Sequence, residues 1–351
     1  MKFAILGDTH FGVRNGSQHF NDLFESFYKE TFIPYLIENK ITHVFQLGDL
    51  FDHRKKIDFN SLAECKRYFF QPLEDAGIEL STILGNHDLY FRESLKISST
   101  GLILGEFSNI NIYDDIETIT LEDGTSIDLV PWICKENEER YTNFINNTKS
   151  DLCFGHFEIQ NFAMYNNMES QHGLSSNLFK RYEGVYSGHY HTKSSKDNIH
   201  YVGTPYEMTW SDYNDPKGFH IFDTETRKLE FIQTPHTIFH RHEYNDEIND
   251  YSKYDITEFQ KKYIKLIVEK KTDFYKFDQF LNKLYESNIH EIKILEDLSD
   301  FSEGDVDTES INIENTLDVL ENYIDSVADE SNSKDIKLFM KTLYIEALES
   351  L

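Results

Sequence analysis

Phe3-Ala4-Ile5-Leu6-Gly7-Asp8-Thr9-His10 is a short apolar run that ends abruptly in a carboxylate and an imidazole. Apolar runs of this length, bounded by a turn signal, read as buried strands. Asp8 and His10 alternate along the chain, so in extended geometry both side chains leave the same face. The strand therefore offers two metal ligands from its C-terminal tip. One pair means little unless other strands end in the same way.

Four more do. The run 41–47 leads into Gly48-Asp49, and 78–84 leads into Gly85-Asn86-His87-Asp88. The run 152–154 leads into Gly155-His156, and 184–187 leads into Gly188-His189-Tyr190-His191. Between the first three runs lie two stretches with helical spacing, 19–39, where Pro34 is expected to kink the helix, and 60–76, closed by Gly77. Strand, helix, strand, helix, strand predicts a parallel βαβ layout and an α/β class. In an open sheet of this kind, sites gather at the carboxyl ends of the strands. The polar residues after the five runs are thus expected to converge. Imidazoles and carboxylates without thiolate suit two divalent ions of the Mn, Fe or Zn type better than Mg or Ca alone. Two ions about 3.5–4 Å apart clamp an in-line displacement at phosphorus. Each piece alone has a plainer reading as a capped turn; five in register do not.

Further along, 109–113 reads as a strand, and 118–121 with 126–130 as a hairpin around Asp123-Gly124. The stretch 89–106 reads as irregular with one helix, and 136–146 as a polar helix. Strands are expected at 199–202, 220–222 and 229–232. A second unit begins near His240, with strands at 262–268 and 290–295 around a helix at 274–285. Two amphipathic helices are expected at 311–327 and 334–348. The predicted organisation is a main domain at 1–238, a small βαβ domain at 239–297, and an acidic linker with a helical pair at 298–351.

The chain has 351 residues, 39% hydrophobic and 15% aromatic, which supports a globular core. No apolar run approaches the roughly 18 residues of a membrane span, so no membrane association and a soluble cytoplasmic protein are expected. Cys65, Cys134 and Cys153 have no metal-binding spacing and are expected to be reduced thiols in or near the core. The net charge of −28 argues against indiscriminate nucleic-acid binding. Binding of that kind then needs a local basic patch, metal ions or a partner's positive charge. Residues 296–335 hold fourteen of the acids and one base, Lys334.

The motifs Asp8-Thr9-His10, Gly48-Asp49, Gly85-Asn86-His87-Asp88, Gly155-His156 and Gly188-His189-Tyr190-His191 resemble those of the calcineurin-like metallophosphoesterases, over roughly residues 1–235. The resemblance implies a layered β-sandwich flanked by helices, refining the plain parallel sheet. It implies that Asp8, His10, Asp49 and His191 hold one ion, and that Asp49, Asn86, His156 and His189 hold the other, with Asp49 bridging. The implied ions are most readily Mn2+, with Mg2+ as the alternative, and the implied nucleophile is a bridging hydroxide. His87 is implied as proton donor to the leaving oxygen, with Asp88 orienting its ring or, more plainly, capping a helix.

Gly48-Asp49-Leu50-Phe51-Asp52, Gly203-Thr204-Pro205-Tyr206-Glu207 and Lys217-Gly218-Phe219 narrow the resemblance to the SbcD-type DNA repair exonucleases. The phage-encoded form, the small subunit of a recombination endonuclease, is the most similar. This implies exonuclease action on duplex ends and endonuclease action on single strands. It implies DNA and an SMC-like ABC ATPase with a coiled coil as partners, the ATPase docked by the C-terminal helices. It also implies a capping role for the small domain, and a homodimer. Some relatives place His where this chain has Asp52; here the imidazole comes one residue later. His53-Arg54-Lys55-Lys56 is a rare basic run, read as a phosphate-contact loop or an ordinary solvated one. Two rival functions are a phosphoprotein or small-molecule phosphatase on the same metal core, and a non-catalytic scaffold subunit of the ATPase complex.

Overall fold

The computed structural model describes residues 1–165 and 168–296; the expected helices at 311–327 and 334–348 lie outside them. Its centre is a pair of mixed six-stranded sheets with a shared apolar layer. The first sheet runs Lys228–Gln233, Gly218–Asp223, Lys2–Leu6, His43–Gln46, Glu79–Ile83, Ile110–Tyr113. The last four strands are parallel, as the alternation of strands and helices predicts, while Gly218–Asp223 lies antiparallel to Lys2–Leu6. The second sheet runs Ser194–Lys196, Ile199–Tyr201, Gly184–Gly188, Leu152–His156, Ser126–Val130, Glu117–Thr120. A single parallel sheet is therefore the wrong picture: the chain forms several sheets of mixed direction.

The opening strand shows how the layers meet. Phe3 and Ile5 enter the inter-sheet core with Phe45, Leu129, Phe154 and Phe222. Ala4 and Leu6 point the other way, into the core shared with Phe24, Phe27, Phe69 and Phe70 of the covering helices. Burial on both faces is why this strand reads as an unbroken apolar run rather than an alternating one. The second sheet's outer face packs against Tyr141 and Ile145 of the Glu138–Asn147 helix. All three cysteines are buried and free. Among the described residues, no helix is long and apolar enough to cross a membrane.

Both helices on the first sheet contain a proline, yet the chain stays helical across each. A wide π turn, Tyr28–Phe32, precedes Pro34, and another, Lys66–Phe70, precedes Pro72. Proline lacks an N–H and crowds the carbonyl four residues earlier; one wider turn accommodates both defects. The stretch after Asp88 resolves into a small hairpin, Leu89–Phe91 with Ser94–Ser98, and a helix, Ser99–Ile103.

Residues 239–295 carry three parallel strands in the order Phe239–Asn245, Tyr263–Lys270, Glu291–Leu295, with the Phe274–Tyr285 helix capped by Asp273. Tyr244, Leu266, Phe277, Phe280 and Leu284 form a separate core here. The first of these strands escapes a hydrophobic pattern search because His240-Arg241-His242-Glu243 is polar throughout. The region meets the main body at a stacked His19–His290 pair, 3.6 Å between ring centroids. Glu207 secures the entry to it, accepting the N–H groups of Ile238 at 2.6 Å and Phe239 at 2.9 Å.

Candidate metal centre

Four loops at the strand ends are stitched to one another by bonds from their backbone N–H groups. The N–H groups of Thr9 and His10 both donate to the Asp49 carbonyl at 3.1 Å. The His189 N–H donates to the two Asp8 carboxylate oxygens at 3.1 and 3.0 Å. The His87 N–H donates to Asp49 Oδ1 at 2.7 Å. Asp88 accepts from Leu50 N at 3.0 Å, Phe51 N at 3.4 Å and Gly85 N at 2.9 Å. Asp88 thus ties two loops together, and no helix follows it to cap. The expectation that it orients the His87 ring gives way to a different arrangement: His87 Nδ1 sits 2.5 Å from the Asp52 carbonyl.

Asp8 and His10 also reach the site differently from a simple strand tip. The strand stops at Leu6, and His10 has φ of 42°. Asp49 at 52° and His189 at 89° are left-handed too. Such conformations cost on the order of 1–3 kcal/mol each in a non-glycine residue and persist only where the surroundings impose them. Here the imposing contact is close backbone passage. A Cβ on Gly188 would lie 2.4 Å from the Leu47 carbonyl and 2.5 Å from Asp8 Oδ1; one on Gly85 would lie 2.2 Å from Asp49 Oδ1.

Two ligand groups result. Asp8, His10 and His191 each bring one ligand atom within 4.8 Å of the others, and so do Asp49, His156 and His189. Asn86 Oδ1 joins the second group, 2.9 Å from His156 Nε2 and 3.1 Å from His189 Nδ1. Asp49 Oδ2 lies 3.3 Å from His156 Nε2 and 3.8 Å from His10 Nε2, between the groups. All seven expected ligands are therefore in one place.

The donor set fits cations. His156 Nδ1 donates to the Leu47 carbonyl at 2.7 Å, leaving Nε2 as the bare nitrogen of the neutral ring. That lone pair faces an amide oxygen and a carboxylate, three acceptors with no hydrogen to share. His10 Nε2 is buried without a hydrogen-bond partner. Protons are the only other way to settle these contacts. Burial raises Asp8 to about 6. Burial works against a charged His156, but Asp49 and Asp8 lift it to about 9. Burial and the neighbouring His10 drive His191 down to about 3. Cations and protons compete for such a site.

Residues beyond the expected ligands shape the centre. Asp52 Oδ1 lies 3.3 Å from His10 Nδ1 and groups with His10 and His87. The Trp132 ring sits 5.1 Å from His189 and 5.9 Å from His156, forming a wall; from sequence it reads only as the end of a hairpin. Lys217 is buried and donates to Asp212 Oδ1, Asp215 Oδ2 and the His191 carbonyl, each at 2.8 Å. Tyr206 donates to the Thr9 carbonyl at 2.7 Å, between the two ligands of the first loop. The 53–56 run follows Asp52 directly; His53 Nε2 is 3.6 Å from Asp52 Oδ2, and Lys55 lies over the Tyr90 ring at 5.6 Å.

The sequence profile of the calcineurin-like phosphoesterases matches residues 1–269. The chain is similar to exonuclease subunit 1 of Enterobacteria phage T4, at 34% identity over 352 aligned positions, 99% of this chain and 100% of that protein. It is similar to the SbcD component of the nuclease SbcCD of Staphylococcus epidermidis, at 23% identity over 257 positions, 65% of this chain and 67% of that protein. A solved archaeal phosphodiesterase matches with 14% identity and a TM-score of 0.35, over 67% of this chain and all of that one.

Proposed function

The chain belongs to the calcineurin-like phosphoesterase family, and from that membership we propose that it is the metal-dependent nuclease subunit of a DNA repair and recombination complex. The observation that carries this reading is the position of Asp49 between two ligand groups drawn from five loops. The first ion is assigned to Asp8, His10, Asp49 and His191, the second to Asp49, Asn86, His156 and His189. Mn2+ is the preferred occupant, since imidazole-rich sites favour it over Mg2+.

When bound, the two ions supply Lewis acidity toward the phosphate and a nucleophile from water at neutral pH. The residues supply the rest. Asp49 holds the His87 backbone with one oxygen and turns the other to the ligand groups. The His87 ring is fixed by the Asp52 carbonyl, to which Nδ1–H donates, so Nε2 is the nitrogen left for the leaving oxygen, and it passes a proton there from the imidazolium form, in which both ring nitrogens carry one. Trp132 and the 53–56 loop flank the centre and are assigned to the nucleic-acid strand. Residues 239–297 are assigned as a cap over the substrate, and 298–351 as the docking segment for an SMC-like ATPase, by analogy with the two relatives, each of which is one component of a larger nuclease.

The test is Mn2+-dependent release of nucleotides from duplex DNA, beside hydrolysis of phosphopeptides. DNA left intact while phosphopeptide is consumed would replace the nuclease with a phosphatase. Within the nuclease reading, His87→Ala is expected to lower turnover by about 10²–10⁴-fold, with Mn2+ binding unchanged by calorimetry. Unchanged turnover would remove His87 from the reaction.

A further inference from the structure

We propose that His240, His242 and Glu258 form a third divalent-cation site, distinct from the catalytic pair, that takes a zinc-class ion. The Phe239–Asn245 strand places the two histidines two residues apart, on one face. Their rings lie nearly parallel, at 16°, with centroids 6.3 Å apart. The short turn Thr257–Phe259 brings Glu258 to that face, with Oε1 3.9 Å from His240 Nε2. One ligand atom from each of the three lies within 4.8 Å of the others. Two imidazoles and a carboxylate make a zinc donor set that leaves a position open to water.

Two further observations point to a ligand. His240 Nε2 is buried and lacks a hydrogen-bond partner, a state that folded proteins rarely tolerate without a reason. The two rings are also held in advance. Phe259 packs 4.7 Å from His240 and 5.1 Å from His242, and the Tyr251 hydroxyl lies 3.2 Å from His242 Nε2. Outer contacts of this sort orient metal-binding imidazoles. Lys262, the competing cation nearby, is engaged by the carbonyl and hydroxyl of Thr237.

The ion would fasten the connection between the first two strands of the 239–295 region to the first strand itself. Its existence does not depend on the nuclease reading. The experiment uses zinc alone as probe on the full chain carrying Asp8→Asn and Asp49→Asn. This parent lacks the anions of the catalytic pair but keeps its four histidines, so the third site is read as the difference between it and the same chain also carrying a substitution at the third site. Metal analysis after dialysis at ~10 µM free ion is expected to find about one Zn2+ per chain more in the parent than in the chain also carrying His242→Ala, with a larger zinc-dependent rise in melting temperature. Adding His242→Ala, or Glu258→Gln at an exposed position that leaves the core intact, is expected to weaken binding about 10–100-fold. Absence of zinc binding in the parent, or zinc binding unaltered by Glu258→Gln and His242→Ala alike, would overturn the site.

Discussion

Asp49→Asn is expected to reduce DNA hydrolysis by about four orders of magnitude while the protein stays folded. Asparagine is nearly isosteric, and its amide oxygen can keep the bond from the His87 N–H, which Asp49 Oδ1 accepts at 2.7 Å. What disappears is the negative charge on the oxygen that lies between His156 and His10. Burial disfavours a charged Asp49, yet His156, His87 and His10 hold its carboxyl well below the ordinary range. It is therefore the charge that the surrounding residues are arranged to keep. Without it, the first ligand group retains only Asp8 as an anion, and the second retains none. A loss of about 5–6 kcal/mol in transition-state stabilisation corresponds to the expected factor. The checks are turnover at saturating Mn2+, metal content per chain, and melting temperature. Turnover within tenfold of the parent at unchanged metal content would place the bridging role elsewhere.

Lys217→Met is the second large effect, and it separates stability from chemistry. The ammonium is buried against Asp212, Asp215 and the His191 carbonyl. Removing it strands two carboxylates, a defect of about 3–5 kcal/mol in buried pairs. In a chain of this size that is a fall of roughly 4–7 °C in melting temperature. Asp212 also accepts from the N–H groups of Met208 and Thr209, so the defect spreads along this loop. Lys217→Met with Asp212→Asn is expected to recover part of the stability but not the Mn2+ affinity, because the His191 carbonyl still lacks its donor. Recovery of both would reduce Lys217 to packing.

The pH behaviour of this ion group follows from its shifts. Burial would raise Asp212, but Lys217 brings it below the ordinary carboxylate range. Its contribution is thus complete above about pH 4 and is lost only as pH falls through that depressed value. Burial would lower Lys217, but Asp212 and Asp215 hold it above its ordinary range. Its contribution is complete below about pH 10 and is lost only at still higher pH. The group therefore stabilises the fold across the neutral range.

The ligands were legible because metal chemistry restricts residue type, and each follows an apolar run that can only be a buried strand. The parallel order of the first strands was legible for a related reason: helical and strand periodicities alternate there. The second sheet was legible only in part: its 117–120 and 126–130 hairpin follows from Asp123-Gly124, but no local pattern records that 126–130, 152–156 and 184–188 lie side by side. Asp52, Lys217 and Tyr206 act on the centre through carbonyls or through another ligand's far nitrogen, contacts without a sequence spacing. Asp88 illustrates the reverse problem. Adjacent to a proton-transfer candidate, it invites a catalytic role, whereas its geometry serves three backbone amides.

The bond between Asp8 and the His189 N–H joins positions 181 residues apart in the chain. The opening strand likewise waits for Gly218–Asp223, its neighbour on one side. At about 5–20 residues per second, a ribosome delivers the second partner of each pair roughly 10–40 s after the first. During that interval the nascent chain carries Asp8 and His10 with no shell to complete. The hydrolytic centre therefore cannot be completed until more than half of the chain has been made, and a translation product that stops short of residue 188 lacks two of its ligands.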